Sequence, residues 1–171
     1  AHLPELSIQP VDYAQWQREW LQGETLQDQL EYWKKQLADA PLLLELPTDR
    51  QRTATPTFRS DSVDFALSAQ SSERLNQLGQ SQGATLYMTL LAAFATLLAR
   101  HSGQADLVIG SPIANRGSQE IEPLIGFFAN TLALRVNVHE QLSFIELLRQ
   151  VRQTTLDGYA HQDLPFEQVV D

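Results

Sequence analysis

Cysteine is absent from the 171-residue sequence, and basic residues are scarce. Without cysteine the chain has no disulfide framework, thiolate nucleophile or zinc–thiolate site, and because this composition fits a reducing compartment we expect a cytoplasmic location. Lysine and arginine number 12 against 21 aspartates and glutamates, which gives a formal net charge of −9. Since phosphate binding is driven by clustered basic residues, we expect no nucleic-acid partner and no anionic membrane partner.

Long apolar runs are also missing. The longest strongly apolar stretch, Leu86 to Ala99, is shorter than the roughly 20 residues that cross a bilayer, and Tyr87, Thr89 and Thr96 interrupt it. The opening segment AHLPELSIQP lacks the basic and apolar regions of a signal peptide and has no initiator methionine. We therefore expect no membrane span and a chain excised from a longer protein.

The motifs of several enzyme classes are absent as well. The sequence has no HExxH zinc motif, no GxSxG nucleophile elbow and no GxxxxGK phosphate-binding loop. The histidines His2, His101, His139 and His161 are scattered, so we expect no metal site. His161 and Asp163 stand two residues apart, where either a shared proton-transfer role or ordinary loop polarity fits.

Hydrophobic spacing predicts the first elements. Apolar residues recur at spacings of three, four and six between Val11 and Leu37, which indicates two amphipathic helices broken near Gly23. Prolines and threonines between residues 40 and 60 predict an extended connection. The alternation in SVDFAL, residues 62–67, predicts a strand with one buried face.

Capping residues predict where two middle helices begin. Either Ser68 or Ser71 can cap a helix that ends near Gly83, and Thr85 can cap the next. That next segment, LYMTLLAAFATLLAR, is apolar on nearly every side, so we expect a helix buried among other elements.

The last third of the chain predicts two strands and a helix. DLVIGS at residues 106–111 reads as a central strand, and residues 131–138 alternate apolar and polar as a half-buried strand does. Ser143, followed three residues later by Glu146, makes a capping box for a helix through about Thr155. Together the elements predict an α/β protein built as an α+β sandwich, without a dinucleotide-binding fingerprint.

Three segments carry recognisable motifs: VDYAQWQREWLQG at Val11 to Gly23, IGFFANTLALR at Ile125 to Arg135, and HQDLPFEQVV at His161 to Val170. In this order they resemble the YxDYAxWQ, IGxFxNT…R and HQDxPFE segments of condensation domains from nonribosomal peptide synthetases. The first departs from the family pattern, which has tyrosine where this chain has Gln9 or Pro10. LPTDRQR, ATLYMTLLAAFATLLARHSG and DLVIGSPIANR also resemble this family, so the resemblance spans essentially the whole chain.

The resemblance implies a partial chloramphenicol-acetyltransferase-like lobe that forms one wall of a tunnel. Residues 1–171 would be the C-terminal lobe of the domain, with lead-in helices at 1–40, an extended connection at 41–60 and a mixed sheet-and-helix part at 61–171. Its partners would be peptidyl and aminoacyl carrier proteins, adjacent synthetase domains and the missing N-terminal lobe. No cofactor would be bound covalently, because the phosphopantetheine arms of the carriers would bring the substrates.

The motif that the family assigns to catalysis, HHxxxDG, has no match in this sequence. The pair Asp157-Gly158 follows Gln153 where the second histidine would stand. The resemblance thus implies a fragment of an amide-forming domain that is inactive alone and carries no catalytic residue; a non-catalytic module for docking carriers or domains is the alternative. Epimerisation domains carry Gly-Trp-Phe-Thr where this chain has GFFANT at residues 126–131, so condensation is favoured.

Four residues are candidates for the tunnel wall. Asn130 is the main one, because its amide both donates and accepts hydrogen bonds. A buried amide that joins a loop to the sheet is the alternative for Asn130. Ser111, Asn115 and Arg116 are weaker candidates, and Arg116 equally fits an exposed loop charge.

The other motif residues are expected to serve structure. Gly126 would permit close backbone approach or an unusual dihedral angle. Pro165 would set the first turn of a short helix that Asp163 caps, and Phe166 and Val169 would pack inward. The full set comprises Asp12, Tyr13, Trp16, Gly126, Phe128, Thr131, Arg135, His161, Gln162, Asp163, Pro165, Phe166 and Glu167.

Overall fold

Six helices and two strands follow one another along residues 5–50, 55 and 60–170, the part of the chain that this computed structural model describes. The helices are α1 (Pro10–Trp20), α2 (Gly23–Leu37), α3 (Ala69–Ser81), α4 (Leu86–Ser102), α5 (Phe144–Ala160) and α6 (Phe166–Val170). The strands β1 (Asp106–Ile113) and β2 (Asn130–Asn137) pair with each other in a two-stranded sheet.

The break between the first two helices confirms the prediction near Gly23. Pro10 occupies the first turn of α1, where the missing N–H costs no hydrogen bond, and the Asp12 carboxylate accepts a bond from the Gln9 N–H at 2.8 Å. Gly23 then takes a φ of +56°, a conformation that favours glycine. Trp33 of α2 is buried.

The caps of α3 and α4 also confirm their predictions. Ser68 accepts a hydrogen bond from the Ser71 N–H at 3.1 Å, and Thr85 accepts one from the Met88 N–H at 3.2 Å. Between the two helices Gly83 has a φ of +63°. The predicted cap sites are correct because a capping bond joins residues only three apart in sequence.

The expectation that α4 is buried on nearly every side is wrong. Leu91, Ala92 and Ala95 are buried, but Phe94 is 48% exposed and Leu97 is 52% exposed. The helix therefore has one covered face and one apolar face that the described residues leave open. The sequence shows how apolar a helix is, but which of its faces are buried depends on elements that are distant in the chain.

The strand predicted at residues 62–67 is absent from the described structure. This segment has no regular hydrogen-bonded structure, and Val63 and Phe65 are 90% and 87% exposed. A strand exists only when a neighbour satisfies its backbone groups, and the described sheet consists of β1 and β2 alone. The extended connection predicted at 41–60 lies partly outside the described residues, because 51–54 and 56–59 are not among them.

The two strands and the helix predicted for the last third of the chain are present. The expectation that the strand beginning at Asp106 is central is wrong, because among the described residues β1 pairs with β2 alone. An apolar run shows that a strand is buried, but it does not show how many strands lie beside it. Leu132, Leu134 and Val136 of β2 are each 1% exposed, as the alternation predicted. The Ser143 N–H donates to the Glu146 carboxylate at 2.8 Å, which forms the expected capping box. Helix α5 continues beyond the expected end at Thr155, as far as Ala160.

The chain divides into two compact units. The first comprises Ala1–Ala40, Val108–Arg135 and Thr154–Asp171; the second comprises Pro41–Leu107 and Val136–Gln153. In the first unit Trp33, Leu132, Leu134 and Leu164 are buried. In the second, α3 packs against α4, and the buried residues include Met88, Leu91, Leu107, Leu147, Leu148 and Val151.

No single helix among the described residues is both long and apolar enough to cross a membrane. Helices α3 and α4 meet the length and composition criteria only when taken together, and they meet at a bend of 103°.

Candidate functional site

The first two motif segments meet through aromatic rings in the first unit. The ring of Tyr13 on α1 lies 5.3 Å from that of Phe128, edge to face, and 5.6 Å from that of Trp16. Trp16 in turn stacks on Trp20 at 5.5 Å. Asp12 caps its own helix, so the structural role expected for these motif residues fits their contacts.

The second and third motif segments meet through Asn130. Its Oδ1 accepts hydrogen bonds from the N–H groups of Thr131 and Phe166 at 2.9 and 3.0 Å. Its Nδ2 donates to the carbonyl oxygens of Gln162 and Leu164 at 2.9 and 2.8 Å. These four bonds use the full ordinary capacity of the amide, two donated and two accepted. They fit the alternative role, that of an amide that joins a loop to the sheet.

The cap of α6 differs from the prediction. The sequence predicts Asp163 as the cap, but the Asp163 carboxylate accepts no hydrogen bond from any described residue. Asn130 accepts from the N–H of Phe166, the first residue of α6, instead. Phe166 and Val169 are half-buried, which agrees with inward packing.

Arg116 organises the loop that follows it. Its guanidinium lies 4.3 Å above the ring of Phe128, a cation–π contact. It also donates to four backbone carbonyl oxygens, those of Ile121, Glu122, Leu124 and Gly126. The half-buried cation is thus bound by the backbone of its own loop. The sequence does not predict this, because every residue has a carbonyl group and the residue types do not show which ones Arg116 binds.

Three further motif residues have distinct surroundings. Ser111 is 7% exposed, and Asn115 has a φ of +50°, the left-handed region that asparagine tolerates better than most residues. A Cβ added to Gly126 would lie 3.0 Å from the ring of Phe128, so close approach explains this glycine. Of the four tunnel candidates, Asn115 and Asn130 line one common cleft.

Arg135, the last residue of the second motif, binds the end of α2. Its guanidinium donates to the carbonyl oxygens of Gln36 at 3.1 Å and Ala38 at 2.7 Å. A cation at this position stabilises a helix, because the last carbonyls of a helix lack partners within it.

His161 is held by residues that the sequence did not single out. Its ring stacks on that of Tyr32 at 3.8 Å, and its Nδ1 lies 2.8 Å from the carbonyl oxygen of Asp157. Since a carbonyl oxygen only accepts, Nδ1 carries a proton. Trp33 donates from its indole N–H to the carbonyl of His161 at 2.9 Å. Burial, with a smaller contribution from the charge of Asp157, raises the pKa of Tyr32 to about 12.

The motif segments surround one open cleft of about 340 Å³. It is lined by Pro10, Tyr13, Ala14, Gln17, Asn115, Phe127, Phe128, Ala129, Asn130, Thr131, Asp163, Pro165, Phe166 and Glu167. All these residues belong to the first unit. The cleft therefore brings together residues of all three motifs, which are far apart in sequence.

The electrostatics of the cleft centre on Asp163. Burial raises the pKa of the Asp163 carboxyl above its ordinary value. Burial also raises the pKa of Tyr13, and the negative charge of Asp163 raises it further. A carboxyl whose pKa is higher in the folded state favours folding at low pH, and that contribution is lost as the pH rises through the folded-state value.

Metal ligands are not clustered in the described residues, where no group of three or more His, Cys, Asp or Glu side chains is placed to hold an ion. The polar groups that line the cleft are amides, one hydroxyl-bearing threonine, Tyr13 and the carboxylates of Asp163 and Glu167. This set suits hydrogen bonding and charge pairing with an organic ligand.

Comparison with known proteins places these motifs in a family. The model of the condensation domain matches residues 1–171. This chain belongs to the condensation-domain family. It is 54% identical over 169 residues to a linear gramicidin synthase of Brevibacillus parabrevis, covering 99% of this chain and 3% of that protein. This condensation-domain chain thus spans a small part of the length of the curated relatives it matches.

Solved structures agree with the family assignment. The X-domain from teicoplanin biosynthesis, solved in complex with OxyB, superposes with a TM-score of 0.88 at 33% identity, over 98% of this chain and 38% of that one. The condensation domain of the monacolin K polyketide synthase MokA gives a TM-score of 0.83 at 25% identity, over 99% and 41%. The mixed helix-and-strand fold with a chloramphenicol-acetyltransferase-like architecture is therefore confirmed.

Proposed function

We propose that this chain forms part of a peptide-bond-forming condensation domain in a nonribosomal peptide synthetase. In this reaction the amine of an acceptor aminoacyl thioester attacks the carbonyl carbon of a donor acyl or peptidyl thioester. The C–N bond forms and the C–S bond breaks. The amine loses a proton, and the thiolate takes one up and leaves as a thiol. Support comes chiefly from the convergence of the three family motifs on one cleft.

The reaction needs groups beyond this sequence. A positioned acid–base group contributes typically about 10²- to 10⁴-fold to a rate, and the HHxxxDG motif that would supply it has no match here. Two polar side chains that could have contacted a substrate already have partners within the chain. Asn130 makes hydrogen bonds to four backbone groups. Arg116 donates to four carbonyl oxygens and makes a cation–π contact with Phe128. The chain would act as a structural wall, and no residue in it would be catalytic.

The partners follow from the same proposal. Carrier proteins would present both thioesters on phosphopantetheine arms, and an N-terminal lobe with the HHxxxDG motif would complete the tunnel. Adjacent synthetase domains would hold the carriers near it, in the cytoplasm. The net charge of −9 works against docking of an acidic carrier, unless basic residues cluster where the carrier binds.

The test is an amide-formation assay with loaded donor and acceptor carriers. We expect no product above the uncatalysed rate from the 171-residue chain, and product when a lobe bearing HHxxxDG is joined to it. A joined protein whose second motif histidine is replaced by alanine serves as the control and should lose activity. Product from the chain alone would contradict the fragment proposal, and no product from the joined protein would contradict the amide-forming role.

A second candidate is a docking module without catalysis. It is favoured by the similarity to the X-domain, which was solved in complex with OxyB. Binding of OxyB to the joined two-lobe protein, together with no amide product, would favour this candidate. Amide product together with no such binding would favour the first.

A further inference from the structure

Two carboxylates line the cleft between α1, residues 125–131 and α6, those of Asp163 and Glu167, and Asp163 is the more buried of the two. Asp163 is only half-exposed, yet its carboxylate accepts no hydrogen bond and forms no ion pair with any described residue. Burying a carboxylate without a partner costs free energy. No described residue therefore competes with a ligand for the Asp163 carboxylate.

Aromatic side chains share this cleft with Asp163. Tyr13, Phe127, Phe128 and Phe166 line the same cleft, and Phe127 is 92% exposed at its edge. Aromatic faces attract cations and pack against apolar groups. They give an anion little stabilisation, and Asp163 would repel one.

The neighbouring polar groups narrow the choice of ligand further. The Asn130 amide already makes four hydrogen bonds to backbone groups, so it offers none to a ligand. The Arg116 guanidinium lies over the Phe128 ring and donates to loop carbonyl oxygens. Among the described residues that line the cleft there is no lysine, arginine or histidine. A positive charge to neutralise Asp163 must therefore come from elsewhere.

We propose that this cleft binds a small organic ammonium ion, with Asp163 pairing with the charged nitrogen and the aromatic side chains contacting the apolar part. Its volume of about 340 Å³ is within the range of small-molecule sites. Amines derived from amino acids belong to this chemical class. The proposal concerns binding and does not require amide formation, so its test does not depend on whether the proposed function is correct.

The test is a calorimetric titration of the full 171-residue chain with 2-phenylethylammonium. We expect binding with a Kd on the order of 1 mM or tighter for a ligand of this size. The neutral 2-phenylethanol, which has the same shape without the charge, should bind about tenfold or more weakly. Equal binding of the two compounds, or no detectable binding of the ammonium ion at about ten times that Kd, would overturn the proposal.

Two variants test the residue assignment. Asp163→Asn keeps the shape and removes the charge, so it should weaken binding of the ammonium ion about tenfold or more and leave binding of the alcohol unchanged. Asp28→Asn makes the same chemical change on the exposed surface of α2 and should leave both affinities unchanged. Equal losses in the two variants, or none in Asp163→Asn, would contradict the role of Asp163. Circular dichroism checks that both variants fold, and the comparison of the two ligands on the unaltered chain needs no variant.

Discussion

At the scale of single residues, polar side chains that look functional in the motifs mostly bind the backbone. Asn130 joins β2 to the turn before α6, and Arg116 holds the loop after β1. Both side chains carry several donors in a fixed geometry, which suits them to satisfy carbonyl groups in irregular loops. Asp163 differs from them because it has no partner among the described residues.

Asn130→Ala tests the joining role at this scale. The change leaves the N–H of Phe166 and the carbonyls of Gln162 and Leu164 without their present partner, so we expect the free energy of unfolding to fall by about 2–3 kcal/mol. Asn76→Ala, the same change on α3, should alter it by less than about 0.5 kcal/mol. Urea denaturation measures both; a loss no larger in Asn130→Ala than in Asn76→Ala would show that the four bonds contribute little.

At the scale of elements, helix ends follow local rules, whereas helix packing does not. The bonds from Ser68, Thr85 and Ser143 each span three residues, and each cap was recognisable in the sequence. The close packing of α3 against α4 was not recognisable in the sequence. A Cβ added to Gly79 would lie 2.7 Å from Thr89 Oγ1 and 3.0 Å from the carbonyl oxygen of Ala84.

Gly79→Ala should therefore destabilise the protein although alanine is the better helix former. Thr89 Oγ1 is fixed by its bond to the Thr85 carbonyl at 3.0 Å, so it cannot easily move aside. We expect a loss of about 1–3 kcal/mol from overpacking, measured by thermal unfolding. Gly117→Ala, where the new Cβ meets no atom within 4 Å, should be neutral or slightly stabilising. A Tm for Gly79→Ala at or above that of Gly117→Ala would contradict the packing explanation.

At the scale of the whole molecule, the second unit leaves a large apolar surface uncovered. Leu86, Leu90, Phe94 and Leu97 lie at helical spacing along α4 and are 38–52% exposed. Val63 and Phe65 add two more exposed apolar side chains. Apolar patches of this kind favour association, and the net charge of −9 opposes it by repulsion between copies.

We expect the 171-residue chain to self-associate, and to do so more strongly as added salt screens the repulsion. Replacing both Leu90 and Phe94 with glutamine should shift the population toward monomer without loss of helical content, because both side chains face solvent. Sedimentation velocity at low and high salt measures the change. A monomeric unaltered chain at high concentration in both conditions would contradict the expectation.

The sequence by itself determined the caps of α3, α4 and α5, the buried apolar face of strand β2 and the family, because each of these depends on residues close together or on motifs in a given order. Only the tertiary structure decided that Asn130 caps a helix 36 residues away, that Asp163 has no partner among the described residues, and that residues 62–67 form no strand there. Alternation in SVDFAL marks a segment able to form a strand, but a strand needs a neighbour for its N–H and C=O groups. The presence of such a partner depends on contacts between residues far apart in the chain, which a local pattern does not contain.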